Sequence, residues 1–72
     1  MAESFTVALR GYDMKQVDAL LAQADEALAG DSGVARAAAR HALQTTTFTV
    51  RLRGYARAEV TEAVTRRMRS LG

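Results

Sequence analysis

Apolar and polar residues alternate with a two-residue period at Phe5, Val7 and Leu9 against Thr6, Ala8 and Arg10, and again at Phe48, Val50 and Leu52 against Thr49, Arg51 and Arg53. That alternation predicts two strands, each with one face turned to a core. Between and after them the period lengthens. Met14, Val17, Leu21, Ala24 and Leu28 recur three and four apart, with Leu20 and Ala27 widening the stripe, so a first helix is predicted to run to about Ala29. The same stripe could serve as a short coiled-coil seam, although two heptads favour core packing. Val60, Ala63, Val64, Met68 and Leu71 predict a last helix, with Arg57, Glu62, Arg66 and Arg69 on its outer side.

Gly30-Asp31-Ser32-Gly33 breaks the pattern, combining a glycine that closes one helix with a polar residue that caps the next. A middle helix from about Val34 to Leu43 follows, rich in alanine, with Val34, Ala35, Ala38, Ala42 and Leu43 inward and Arg36 and Arg40 outward. Thr45, Thr46 and Thr47 are β-branched and lead out of it. Asp13 stands where an N-cap belongs, with Gln16 completing a box-like pair, whereas Ala56 at the matching place cannot cap.

The two strand-to-helix stretches are copies. Phe5, Thr6, Val7, Leu9, Arg10, Gly11, Tyr12 and Val17 return as Phe48, Thr49, Val50, Leu52, Arg53, Gly54, Tyr55 and Val60, 43 residues on. An internal repeat means one supersecondary unit used twice. The expected fold is α+β, a small β-α-α-β-α domain with two short antiparallel strands, three helices and a pseudo-two-fold axis. Residues 4–29 and 47–72 form the repeats, and 30–46 is the helical connector. Gly11 and Gly54 supply either a positive φ or room for close approach at the strand-to-helix turn. Tyr12 and Tyr55 are expected to lie over their helix starts with hydroxyls toward water or backbone.

At 72 residues the core is marginal, so self-association as a homodimer or a protein partner is expected. The chain has no cysteine, which fits a cytoplasmic setting, and neither a membrane-spanning run nor a secretion-signal pattern is read in it. Charge is divided unevenly. Residues 1–30 set Arg10 and Lys15 against Glu3, Asp13, Asp18, Asp25 and Glu26, while residues 47–72 set six arginines against Glu59 and Glu62. Such asymmetry steers the halves together, or offers a cationic face to phosphate.

No catalytic constellation, cofactor loop or metal-ligand spacing is present, and the single histidine, His41, reads as a helix filler. The chain is therefore expected not to be an enzyme and to need no cofactor. Leu9-Arg10 and Leu52-Arg53 are candidate surface anchors, because an apolar side chain beside a cation at an exposed turn suits the interface of an anionic bilayer. A strand followed by two helices is also the order of a ribbon-helix-helix DNA-binding unit, in which Thr49, Arg51 and Arg53 would read bases. The lone helix after the second strand and the repeat itself count against it, so nucleic acid is the less favoured partner.

Phe5, Leu9-Arg10-Gly11-Tyr12-Asp13, Val17-Asp18 and Leu21 resemble the N-terminal module of the DivIVA domain family, and Phe48, Leu52-Arg53-Gly54-Tyr55 and Glu59-Val60 resemble it again. The likeness covers about 17 residues per copy. It implies a non-enzymatic scaffold at the inner membrane face that recruits cell-division or polar-growth proteins. It also implies that Leu9-Arg10 and Leu52-Arg53 occupy the membrane-touching positions, with leucine where the family has an aromatic residue, and that Gly11, Tyr12, Asp13, Gly54 and Tyr55 form the structural turn.

Overall fold

A computed structural model describes residues 4–72, so Glu3 of the acidic set lies outside the described residues. The element order is β1 (Val7–Tyr12), α1 (Met14–Ala29), α2 (Gly33–Thr45), β2 (Val50–Tyr55) and α3 (Arg57–Leu71). This is the expected α+β arrangement of two antiparallel strands and three helices. Val7 pairs with Tyr55, Leu9 with Arg53, Gly11 with Arg51 and Tyr12 with Val50, so numbers fall along one strand as they rise along the other.

Neither strand is straight. Tyr55 is the partner of both Val7 and Tyr12, and Tyr12 is the partner of both Val50 and Tyr55. Two residues flanking one strand position lie within roughly 10 Å of each other, whereas five extended steps span about 17 Å. Each strand must therefore bend back on itself. The bend in β1 falls at Leu9-Arg10, where Arg10 holds a positive φ of 58°. The two hooks cross at Gly11 and Gly54, which are buried. A Cβ on Gly54 would lie 2.6 Å from the carbonyl carbon of Gly11, and one on Gly11 would lie 2.5 Å from the carbonyl oxygens of Gly54 and Tyr55. Neither glycine has a positive φ, so close approach is the reason for both.

The hooks reach the helices only at their bases. There Phe5 packs on Tyr55 and Phe48 on Tyr12, with ring centroids 5.0 and 5.1 Å apart. The expected inward face of Val7, Leu9, Val50 and Leu52 is not observed, because all four are exposed. A strand that hooks away from the helices has no second layer to bury an alternate face against.

The helices repeat the symmetry. Val17 and Val60, equivalent in the two copies, are wholly buried and central to a core shared with Leu20, Leu21, Ala24, Leu43 and Ala63. Phe5, Tyr12, Phe48, Tyr55, Val64, Met68 and Leu71 pack around it. α2 breaks the symmetry by covering one side, against both α1 and α3. Its buried residues are Ala39 and Leu43, while Val34 is 83% exposed and Ala35 and Ala38 also face out. The expected inner face was thus rotated. Arg36, placed outside in that reading, turns inward and donates to the Leu28 carbonyl at 3.4 Å. Ser32 caps α2 by accepting from the Ala35 amide at 3.1 Å, and the Gly30 amide closes α1 on the Glu26 carbonyl at 3.2 Å.

Candidate functional site: the crossed tip and its polar frame

The hooks are held at their bases by backbone and side-chain bonds that obey the repeat. The Asp13 amide donates to the Thr49 carbonyl at 2.9 Å, and its equivalent, the Ala56 amide, donates to the Thr6 carbonyl at 2.8 Å. The Thr49 amide donates to the Gln16 side-chain oxygen at 2.8 Å, and the equivalent Thr6 amide donates to a Glu59 carboxylate oxygen at 2.9 Å. Gln16 adds a bond from its amide nitrogen to the Thr49 hydroxyl at 3.2 Å. Gln16 thus spans the two repeats and does not complete a capping box with Asp13. Asp13 does cap α1, accepting from the Gln16 amide at 3.0 Å. Ala56 holds nearly the same backbone angles with no side-chain cap, so crossing geometry fixes this turn even where the cap is lost.

Other contacts exist in one half only. Asp13 accepts from the Arg51 guanidinium at 2.9 Å, but the equivalent positions are Ala56 and Ala8. Asp25 pairs with Arg67 at 3.0 Å, where the equivalents are Met68 and Ala24. The Tyr55 hydroxyl donates to the Asp18 carboxylate at 3.0 Å, where the equivalents are Tyr12 and Thr61. A side-chain carboxylate, not water or backbone, is therefore the partner of Tyr55. The Asp18 and Asp25 contacts lie on the side of the core that α2 leaves uncovered.

Electrostatics follows these contacts. The Gln16 amide and then the Arg51 guanidinium hold the Asp13 carboxyl below its ordinary pKa of 3.8. Hydrogen bonding from Thr6 lowers Glu59 below 4.5. The Asp18 carboxylate raises Tyr55 above 10.0, since ionising the phenol would lose that bond and set two negative charges together.

At the far end of the hooks the structure gathers all four candidate anchors. Leu9 and Arg53 are direct partners, and Arg10 and Leu52 are their sequence neighbours at the two bends. Leu9 is 73% exposed and Leu52 77% exposed, with Val7 and Val50 exposed behind them. Among the described residues, Arg10 and Arg53 have no ion-pair partner. Two leucines and two arginines thus share one small tip on a molecule 37 Å in its longest extent. Gly11, Tyr12, Asp13, Gly54 and Tyr55 lie at the crossing and at the base of the hooks. They build the crossing and the base that hold it out.

The residues expected to read DNA fare differently. Thr49 is engaged by Gln16 and Arg51 by Asp13, which leaves only Arg53 of the three without a protein partner. Among the described residues, no three histidine, cysteine, aspartate or glutamate side chains converge as a metal site, and no helix is long and apolar enough to cross a membrane. The polar frame itself was not anticipated from the sequence. Comparing the repeats position by position would have flagged it, since Asp13 and Arg51 become alanine together at Ala56 and Ala8.

No protein-family model matches the chain, and no curated protein and no solved structure is similar to it.

Proposed function

We propose that this protein is a non-enzymatic interaction module whose crossed tip seats on an anionic membrane surface, leaving the helical layer to engage protein partners. The observation that carries the reading is the convergence of Leu9, Arg10, Leu52 and Arg53 at one exposed point. A single leucine-arginine pair is a weak anchor, but two held rigidly side by side act together without a further entropic cost of bringing them there. Half-burying two leucines contributes roughly 2 kcal/mol. Two arginines near an anionic surface add about 1 kcal/mol each. The sum supports a reversible attachment, which suits an adaptor that gathers partners at a surface. The resemblance of both copies to the DivIVA module supports the same reading and suggests a scaffold of cell division or polar growth, working on the cytoplasmic side.

Co-sedimentation with vesicles tests it. The protein is expected to pellet with phosphatidylglycerol-containing vesicles, less so as salt rises, and not with pure phosphatidylcholine. Leu9→Ser with Leu52→Ser should weaken binding at least tenfold, while Val34→Ser, an equally exposed site on α2, should not change it. Equal binding by the double-serine variant would remove the tip as the anchor.

A further inference from the structure

The internal repeat builds one kind of groove twice. On the first repeat the Phe5–Tyr55 ring pair meets Asp18, Leu21 and Ala22 of α1 around a groove of about 300 Å³. On the second the Tyr12–Phe48 pair meets the equivalent Thr61, Val64 and Thr65 of α3. Their remaining walls differ. Leu43 at the end of α2, with Thr46 and Thr47 after it, walls the second groove. The first has Asp25 and Arg67 instead, on the side of the core that α2 leaves bare.

α2 therefore shows how a helix lies against such a groove. Leu43 is buried and forms its apolar anchor. Arg36 donates to the Leu28 carbonyl at 3.4 Å, and the Arg40 guanidinium reaches the end of α3, 3.3 Å from where a Cβ on Gly72 would stand. Leu43, Arg40 and Arg36 are spaced three and four apart, so one face presents a leucine and two cations.

The first groove suits that pattern on electrostatic grounds. Asp18, Asp25 and Glu26 stand where the second repeat has Thr61, Met68 and Arg69. Asp18 and Glu26 are exposed, and among the described residues neither has an ion-pair partner. α1 has no basic residue in its last turn, so its terminal carbonyls also favour a cation from outside. The Asp25–Arg67 pair keeps this face wetted when nothing covers it, and an ion pair with its acid exposed rearranges at little cost.

We propose that the first-repeat groove docks a cationic amphipathic helix of a partner protein, with an aliphatic side chain on the Phe5–Tyr55 rings and lysine or arginine beside Asp18, Asp25 and Glu26. The proposal rests on the functional reading above only in taking the helical layer as the side that meets protein. Such a helix sits across the pseudo-two-fold axis from α2 and restores the symmetry that α2 breaks.

A peptide of the α2 sequence, residues 32–47 with blocked ends, is the probe, titrated to millimolar concentration into the full isotope-labelled chain. We expect the amide signals of Asp18, Ala22 and Asp25 to move, and those of Thr61, Val64 and Thr65 to stay. Asp18→Asn with Asp25→Asn should weaken binding by about fivefold while leaving the rest of the spectrum in place. The peptide carrying Arg36→Glu and Arg40→Glu should not bind. Leu9→Ser with Leu52→Ser should bind the peptide as the native chain does, so failure at the membrane and failure at the groove are read separately. No movement at all, movement of the second-repeat signals instead, or equal binding by the glutamate peptide would overturn the proposal. So would movement of the Asp18 and Asp25 signals on concentrating the protein alone, which would give the groove to a second copy.

Discussion

Gly54→Ala tests the crossing of the hooks with one methyl group. The added carbon would lie 2.6 Å from the Gly11 carbonyl carbon and 2.7 Å from that of Tyr12, with the Tyr12 carbonyl oxygen nearer still. Carbon atoms pack best at about 3.5–4.0 Å, so the opposite backbone would have to retreat by roughly 1 Å. That movement would stretch the bonds from the Asp13 amide to Thr49 and from the Ala56 amide to Thr6, now 2.9 and 2.8 Å long, beyond useful range. Overpacking of this kind costs about 1–3 kcal/mol, and each lost bond about 1 kcal/mol more. A total of about 3–5 kcal/mol lowers Tm by roughly 12–40 °C in a domain of this size. Thermal unfolding followed by circular dichroism at 222 nm reads it directly, and Gly11→Ala should behave alike. Gly33→Ala is the internal control. It begins α2 with nothing within 4 Å of its new methyl, so Tm should hold or rise slightly. If all three variants melted together, the backbones would not meet at Gly11 and Gly54, and the hooked crossing would be wrong.

Two further predictions come from the polar frame. Asp13 and Glu59 have lowered pKa values in the folded state. Their contribution is therefore fully present above their ordinary values of 3.8 and 4.5 and is lost as pH falls through the folded ones. Asp13→Asn with Glu59→Gln should flatten the acid limb of Tm against pH, and an unchanged limb would refute these assignments. Tyr55 is raised, so its contribution is present below its ordinary 10.0 and is lost as pH climbs through the folded value. In an ultraviolet titration of tyrosinate, Asp18→Ala should move the Tyr55 transition to lower pH, whereas no movement would place the hydroxyl elsewhere.

Much of this architecture was legible because helices declare themselves by periodicity. The stripe through Val17, Leu21 and Ala24, the break at Gly30–Gly33, the Asp13 cap and an antiparallel pair of short strands all followed from spacing and from the repeat, whereas spacing does not say that the two strands pair within one chain. The direction in which the strands' apolar residues face was not legible. Alternation at Val7 and Leu9 encodes a pleat but not a bend, and it is the bend that leaves these side chains exposed. The face of α2 was equally hidden, since alanine marks neither inside nor outside, and Arg36 could turn inward because its long stem reaches the Leu28 carbonyl. The four tip residues were found as neighbours in sequence. Their convergence on one point depends on the crossing, which no single repeat contains.

Solution NMR of the native chain at low concentration tests the central claim most directly, by asking whether the α protons of Gly11 and Gly54 give a nuclear Overhauser contact while Leu9 contacts Arg53. The hooked, two-fold account predicts both contacts in one sample, together with Tyr55 seen from Val7 and from Tyr12. Contacts from Tyr55 to Val7 alone, with Gly11 and Gly54 silent toward each other, would mean two straight strands, and the shared tip would not exist.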